Sequence, residues 1–292
     1  MTRTAAGLTD VPLGHSPDAD DVFMWWPLTE GLLDTAPYRF VPVAQDIQAL
    51  NERAVERADL PITAMSLHAY PFAAAKYALT AFGASFGEGY GPVVVAREGR
   101  DADWLAGPGV VVATPGEKTT AHLTLQLLLG RPFACRAMPF DRVLEAVARG
   151  EVDAGLVIHE GQLTFEAMGL AKVVDLGAWW RERTGLPLPL GVNAVRLDLD
   201  EQLGKGATQR ILALLRRSVE TALDQRERSL QVAAKAAGRL PQPLLERFVA
   251  MYVNERTLEM GREGEEAIRA LLAEAAQGGL APPVEQLRVL RG

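Results

Sequence analysis

The order of secondary-structure signals predicts an α/β protein built as two lobes. Short β-branched runs alternate with helix-like stretches along most of the chain, the pattern of sheets covered by helices. Two strongly β-forming runs, Pro92–Arg97 (PVVVAR) and Val192–Leu197 (VNAVRL), flank a central block that has strands and helices of its own. A chain that leaves one lobe, builds a second and returns has this layout. The expected division is a large discontinuous α/β domain of 1–97 with 192–292, and a small α/β domain of 98–191. A ligand would then sit in the cleft between lobes.

Taken in order, Val11–His15 reads as a first strand. Ser16-Pro17-Asp18-Ala19-Asp20-Asp21 follows as a helix start, with serine as N-cap, proline at the first helical position and acids in the first turn. That segment is either a capped helix or a helix N-terminus that presents N–H groups and Ser16 to a ligand. Tyr38–Val43 reads as a strand, Asp46–Glu56 as a helix and Leu60–Met65 as a buried strand. Ser66 then stands where strand gives way to helix, able to cap or to hold a ligand. Ala73–Leu79 reads as helix and Gly83–Gly91 as a glycine-rich loop.

In the central block, Gly109–Thr114 is a β run that leads through Pro115-Gly116-Glu117-Lys118-Thr119-Thr120 into a helix, Ala121–Leu129. Free N–H groups, two hydroxyls and a lysine meet there. The segment suits a substrate carboxylate or hydroxyl, or it is a helix cap made by two threonines. It is not a nucleotide phosphate loop, because Glu117 separates the glycine from the lysine and Val111 stands where a second glycine is needed. Phe133–Met138 reads as a strand and Phe140–Arg149 as an amphipathic helix closed by Gly150. Lys172–Leu176 is a further strand. Gly185–Gly191 (GLPLPLG) reads as a proline-rich connector between domains. After residue 200 the pattern is almost all helical: Gly206–Leu223, Ser229–Ala237, Pro243–Met251 and Glu263–Ala276, with Pro282-Pro283 opening a frayed tail. Tyr252-Val253-Asn254 is the most unusual triplet of that half.

Composition narrows the function. Apolar residues make up 48% and charged residues 23% of 292, typical of a globular protein. A net charge of −7 argues against nucleic acid as the main partner. A single cysteine, Cys135, excludes an internal disulfide framework and a cysteine-based zinc site, and reads as a small buried apolar residue. His15, His68, His122 and His159 lack paired ligand spacing, so no metal is expected, and no flavin or nucleotide fingerprint points to a cofactor. The N-terminus has no secretory pattern and no stretch approaches the roughly 18 apolar residues of a membrane span. The expectation is a cytoplasmic protein with a small-molecule substrate and neither nucleic acid nor membrane as partner. The oligomeric state is not encoded legibly.

The residue around which the chemistry gathers is His159. Ala154–Ile158 reads as a buried strand, so His159 falls at its carboxyl end, followed by a turn glycine, Gly161. Ligands bind at that end of strands in open α/β sheets. An imidazole there, with an ordinary pKa of about 6.5, suits a general base near neutral pH. Its neighbour Glu160, by strand alternation, would point away.

Several long segments carry a family resemblance: the Ser16-Pro17 helix start, ITAMSLHAY, VVATPGEKTTAH, DAGLVIHEG, VVDLGAWWRERTGLPLPLG and YVNERTLEMGREGEEAI. Together they resemble the 1,4-dihydroxy-6-naphthoate synthases of the futalosine route to menaquinone, nearly end to end. The resemblance implies a two-lobed fold similar to type 2 periplasmic binding proteins. It also implies a carbon–carbon lyase that cleaves cyclic dehypoxanthine futalosine to the naphthoate and a sugar-derived fragment. The family's catalytic histidine matches His159 and its cleft serine matches Ser66. Its threonine at the small-domain helix start matches Thr119 or Thr120, with Thr120 favoured. The family's opening motif is usually Ser-Pro-Cys-Pro-Asn-Asp-Thr-Phe, whereas this chain reads Ser16-Pro17-Asp18-Ala19-Asp20-Asp21-Val22-Phe23, with Ser16 and Asp20 expected to face the substrate. That departure keeps open a sister enzyme resembling a chorismate dehydratase. A non-catalytic binder of small carboxylates is the third reading.

Overall fold

A computed structural model describes residues 7–236 and 240–292. Among these residues the strands are β1 (Thr9–His15), β2 (Tyr38–Ala44), β3 (Ile62–Ser66), β4 (Tyr77–Thr80), β5 (Ser85–Gly87), β6 (Val93–Ala96), β7 (Val111–Thr114), β8 (Ala134–Ala137), β9 (Ala154–Val157), β10 (Ala171–Asp175), β11 (Leu188–Arg196) and β12 (Val289–Leu290). They form two sheets. The larger has the order β12-β4-β11-β3-β1-β2, with β5 added along β11; the smaller has the order β10-β6-β9-β7-β8.

Each sheet has a parallel centre. In the larger, β1 runs parallel to β2 and β3. In the smaller, β7 runs parallel to β8 and β9. Parallel pairing requires crossover connections, which the helices Ala19–Thr29, Ile47–Glu56, Thr120–Leu129 and Phe140–Ala148 provide. Antiparallel strands finish the sheets: β11 beside β3 and β4, and β6 beside β9 and β10. The result is a two-lobed α/β fold with a cleft between lobes.

The helix Ala19–Thr29 is apolar on nearly every side because it is enclosed. Phe23, Met24, Trp25 and Trp26 are buried against the helices Ala207–Asp224, Arg226–Ala236 and Gln242–Tyr252. Two serines tie the bundle: the Trp26 indole donates to Ser229 Oγ at 2.7 Å, and Ser218 donates to the Met24 carbonyl at 2.7 Å. This anchoring matters for the site, since the N-terminus of the same helix opens into the cleft.

The structure corrects several expectations. Ala73–Leu79 is not a helix; a short helix, Tyr70–Ala73, gives way to β4, which is held between β11 and β12. Part of the expected connector Gly185–Gly191 is strand: Leu188–Gly191 begin β11 and pair with β5 at Leu188, Pro189 and Gly191. The tail does not fray, because Val289 and Leu290 extend the larger sheet beside β4. Within the glycine-rich loop, Ser85–Gly87 is a strand. The β6 run, expected to flank the central block from the large domain, pairs inside the smaller sheet with β9 and β10. Cys135 is half-buried on β8, an edge strand, rather than part of a core. Ala237, expected to end a helix, lies outside the described residues.

Candidate active site

The carboxyl ends of four parallel strands converge on one cavity. β1 delivers Ser16 and Asp18, β3 delivers Ser66, β7 delivers Thr119 and Thr120 through the following turn, and β9 delivers His159. Ser16, Asp20, Ser66, Thr119, Thr120 and His159 all line this cavity, so the six residues singled out in sequence meet in one place. Asp18, Asp21, Gln162, Asn193 and Tyr252 line it as well.

β9 ends at Val157, and His159 takes a left-handed backbone, φ +58°. Few residues other than glycine adopt this conformation, though histidine is among the more tolerant, and such positions cluster at functional sites. The turn removes His159 and Glu160 from strand alternation, so the expectation that Glu160 points away does not apply. Gly161 is not the turn residue; it opens the helix Gly161–Thr164, where a Cβ would meet Val157 and Leu144. Glu160 is half-buried, and burial raises its carboxyl above the ordinary range.

The His159 ring lies between the lobes. Its Nδ1 is 2.9 Å from Asp18 Oδ2, with the side chains 15% and 4% exposed. The Ser16 hydroxyl donates to the same Asp18 oxygen. The Phe140 ring meets the imidazole edge-on at 4.4 Å between centroids. Nε2 is buried and has no hydrogen-bond partner among the described residues. Burial disfavours the imidazolium, yet the charge and hydrogen bond of Asp18, with the charges of Asp20 and Glu160, push the pKa up to about 9.

The helix start differs from its expected form. The N-cap is Asp18 rather than Ser16, and the Asp18 side chain makes no capping bond. The carboxylate turns instead to His159 and Ser16. The helix end is tied from inside, as the Ser16 N–H donates to Asp21 Oδ2 at 2.7 Å. Burial pushes Asp21 up to about 7 despite that donor. Burial, then the neighbouring charges of Asp21 and Asp18, hold Asp20 well above the ordinary carboxylate range. Asp18 goes the other way: burial opposes its charge, but His159 and the Ser16 hydroxyl outweigh burial and lower it.

Across the cavity, Ser66 is held by Asn51, whose Nδ2 donates to Ser66 Oγ at 2.9 Å while Oδ1 accepts from the Ser66 N–H at 2.8 Å. Thr119 caps its helix, accepting from the His122 N–H and donating to the Gly116 carbonyl at 2.7 Å. Thr120 donates to the Leu190 carbonyl at 2.5 Å and accepts from the Leu67 N–H at 2.9 Å. Each threonine thus gives its proton to a carbonyl, Thr119 within its own turn and Thr120 across to Leu190. Lys118 is turned away, its Nζ 3.8 Å from the centre of the Phe72 ring.

Sequence reasoning missed Asp18, Asn51, Gln162 and the role of Tyr252, whose hydroxyl donates to Gln162 Oε1 at 2.7 Å. Only Asp18 carried a signal: an acid at the end of β1 has the same placement as His159 at the end of β9.

Comparison with known proteins agrees with this picture. A family model described as menaquinone biosynthesis matches residues 11–277. A 1,4-dihydroxy-6-naphthoate synthase from Thermus thermophilus is 41% identical over 93% of this chain and 96% of its own length. Protein AF1704 from Archaeoglobus fulgidus has a crystal structure that matches at a TM-score of 0.85 and 40% identity, covering 93% of this chain and 98% of that one. The ligand-binding component of an ABC-type import system from Staphylococcus aureus matches at a TM-score of 0.71 and 14% identity, covering 97% of each chain. That likeness shows the fold, which is of the periplasmic-binding-protein type. The near-complete match to the family model and the identity to the Thermus enzyme show that the chain belongs to the menaquinone-biosynthesis family.

Proposed function

We propose that this protein is a carbon–carbon lyase that converts cyclic dehypoxanthine futalosine to 1,4-dihydroxy-6-naphthoate, with His159 as general base. The family and its named relatives support the reaction. The observation that carries the base is Nε2 of His159, a buried ring nitrogen of a residue that lines the cavity, which no group among the described residues satisfies. A buried polar atom of this kind calls for a partner, and a ligand would complete it.

The chemistry asks for little else. The substrate has a C–H beside a carbonyl, and loss of the sugar portion leads toward an aromatic ring. His159 takes the proton and can return it to a later intermediate. Ser66 accepts from Asn51 and keeps its own hydroxyl proton for a substrate oxygen. Ser16, Asp20, Thr119 and Thr120 complete the polar wall. Asn193, which lines the same cavity, adds a buried amide oxygen without a partner among the described residues.

In this reading the smaller lobe holds β6 to β10 and the larger holds β1 to β5, β11 and β12, so both crossings fall a few residues before the expected bounds at 97/98 and 191/192. β6 then stays with the smaller sheet and β11 with the larger. Closure of the lobes would exclude water and place the base against the substrate.

Purified protein given authenticated cyclic dehypoxanthine futalosine should release the naphthoate chromophore. His159→Gln should lower kcat by about 10²- to 10⁴-fold with an unchanged circular dichroism spectrum. Absence of product from the wild-type protein would overturn the assignment.

A further inference from the structure

We propose that Asp18 is a positioning residue that holds His159 in the Nδ1–H tautomer and so makes Nε2 the nitrogen offered to the substrate. The inference rests on the reading of His159 as the base, and it concerns a residue at which this chain departs from the usual family motif. A neutral imidazole has one donor and one acceptor nitrogen, and an ionised carboxylate only accepts. Asp18 Oδ2 stands 2.9 Å from Nδ1 and also receives the Ser16 hydroxyl. The Ser16 hydroxyl donates to that oxygen, and the neighbouring imidazole and hydroxyl hold the Asp18 carboxyl below the ordinary range, so Asp18 is the ionised member of its aspartate cluster. The proton of neutral His159 must then sit on Nδ1, and the lone pair on Nε2, which has no partner among the described residues.

The dyad joins the two lobes. Asp18 follows β1 of the larger sheet, and His159 follows β9 of the smaller. The tautomer is therefore fixed by a contact that crosses the cleft. The Phe140 ring, packed against the imidazole at 4.4 Å between centroids, limits the freedom of the ring to turn.

Other groups act on this ring without matching the geometry. Asp20 and Asp21 face it from the same helix start, Glu160 from its own turn, and Asp46 from the start of the helix Ile47–Glu56. His15 faces Asp18 from β1. Among the described residues, only Asp18 forms an ion pair with His159. Stabilising the imidazolium makes a stronger base that is available only at higher pH. Activity should therefore climb as pH rises through about 9.

The test is nitrogen NMR of the two ring atoms of His159 in ring-labelled, substrate-free protein, paired with the pH profile of kcat/KM. The wild type should titrate near 9 and, once neutral, carry its proton on Nδ1. Asp18→Asn keeps an acceptor but removes the charge. Its His159 midpoint and the pH limb should fall together by about 2 units, with the plateau rate about tenfold lower. Asp18→Ala also loses the anchor, so the neutral ring should show a tautomer mixture and kcat should fall about 100-fold at nearly constant KM. A wild-type His159 that titrates near 6.5, carries its proton on Nε2, or keeps its midpoint in Asp18→Asn would overturn the proposal. If either variant fails to fold, the wild-type tautomer and midpoint decide alone. The NMR reading needs no turnover: a shifted midpoint without lyase activity rejects the reaction and keeps the dyad, and turnover with an unmoved midpoint does the reverse.

Discussion

Thr120 ties the smaller lobe to the hinge side of the larger through one hydroxyl. It donates to Leu190 and accepts from Leu67, while the Leu67 N–H also reaches the Leu190 carbonyl at 3.2 Å. Because that backbone bond would survive, Thr120→Val should cost only about 1 kcal/mol of folding stability, measured by urea unfolding, and Thr120→Ser should restore it. A loss several times larger would mean that the hydroxyl supports more than this triangle. At this scale the sequence was informative wherever a chemical residue follows a strand. Ser16, Thr119, Thr120 and His159 each do so, Ser66 ends a strand, and all five line the cavity. Asn51 could not be found that way. It sits inside an ordinary amphipathic helix, and its use depends on Ser66 and Lys118 being brought to it by the fold.

Among the elements, the alternation of strands and helices was legible because the parallel strands are short apolar runs. β4 was not. Its residues follow an Ala-rich stretch of good helix formers, and pairing with β11 and β12 overrides that local preference. The helix Thr120–Leu129 carries a different consequence of burial. His122 lies inside it, 5.5 Å between ring centroids from Phe133, with Nδ1 unpartnered among the described residues. Burial, and then the charge of His68, lower its pKa from 6.5 to about 4. A folded-state pKa below the unfolded value gives stability that is fully present above pH 6.5 and is lost as pH falls toward 4. The full loss from this residue is about 3 kcal/mol at most. Unfolding free energies of His122→Leu should therefore vary less between pH 6.5 and 4 than those of the wild type. Equal slopes would show that His122 is not protonated on unfolding in that window.

For the whole molecule, the approach of the lobes depends on a few narrow contacts. Gly116 is one: its φ is +141°, and a Cβ there would lie 2.4 Å from Gln48 Oε1, which accepts from the Lys118 N–H. Gly116→Ala should strain the turn by about 1–3 kcal/mol and hold the lobes apart. The expected result is a KM raised about tenfold, with a larger radius of gyration in small-angle scattering. An unchanged KM would mean that closure does not pass through this contact.

The partition of strands between the sheets also bears on how the chain is made. The smaller sheet draws on residues 93–175 alone, whereas the larger needs β1 near the start and β12 at Val289–Leu290. On a ribosome the smaller sheet has all its strands before β11 exists, and β4 waits beside an open edge until β12 has been synthesised. Pairings that span more chain pay more loop-closure entropy and form later. Pulse-labelled refolding should accordingly protect amides of β7 and β9 before those of β4, and the interval between them is when an exposed strand edge invites aggregation.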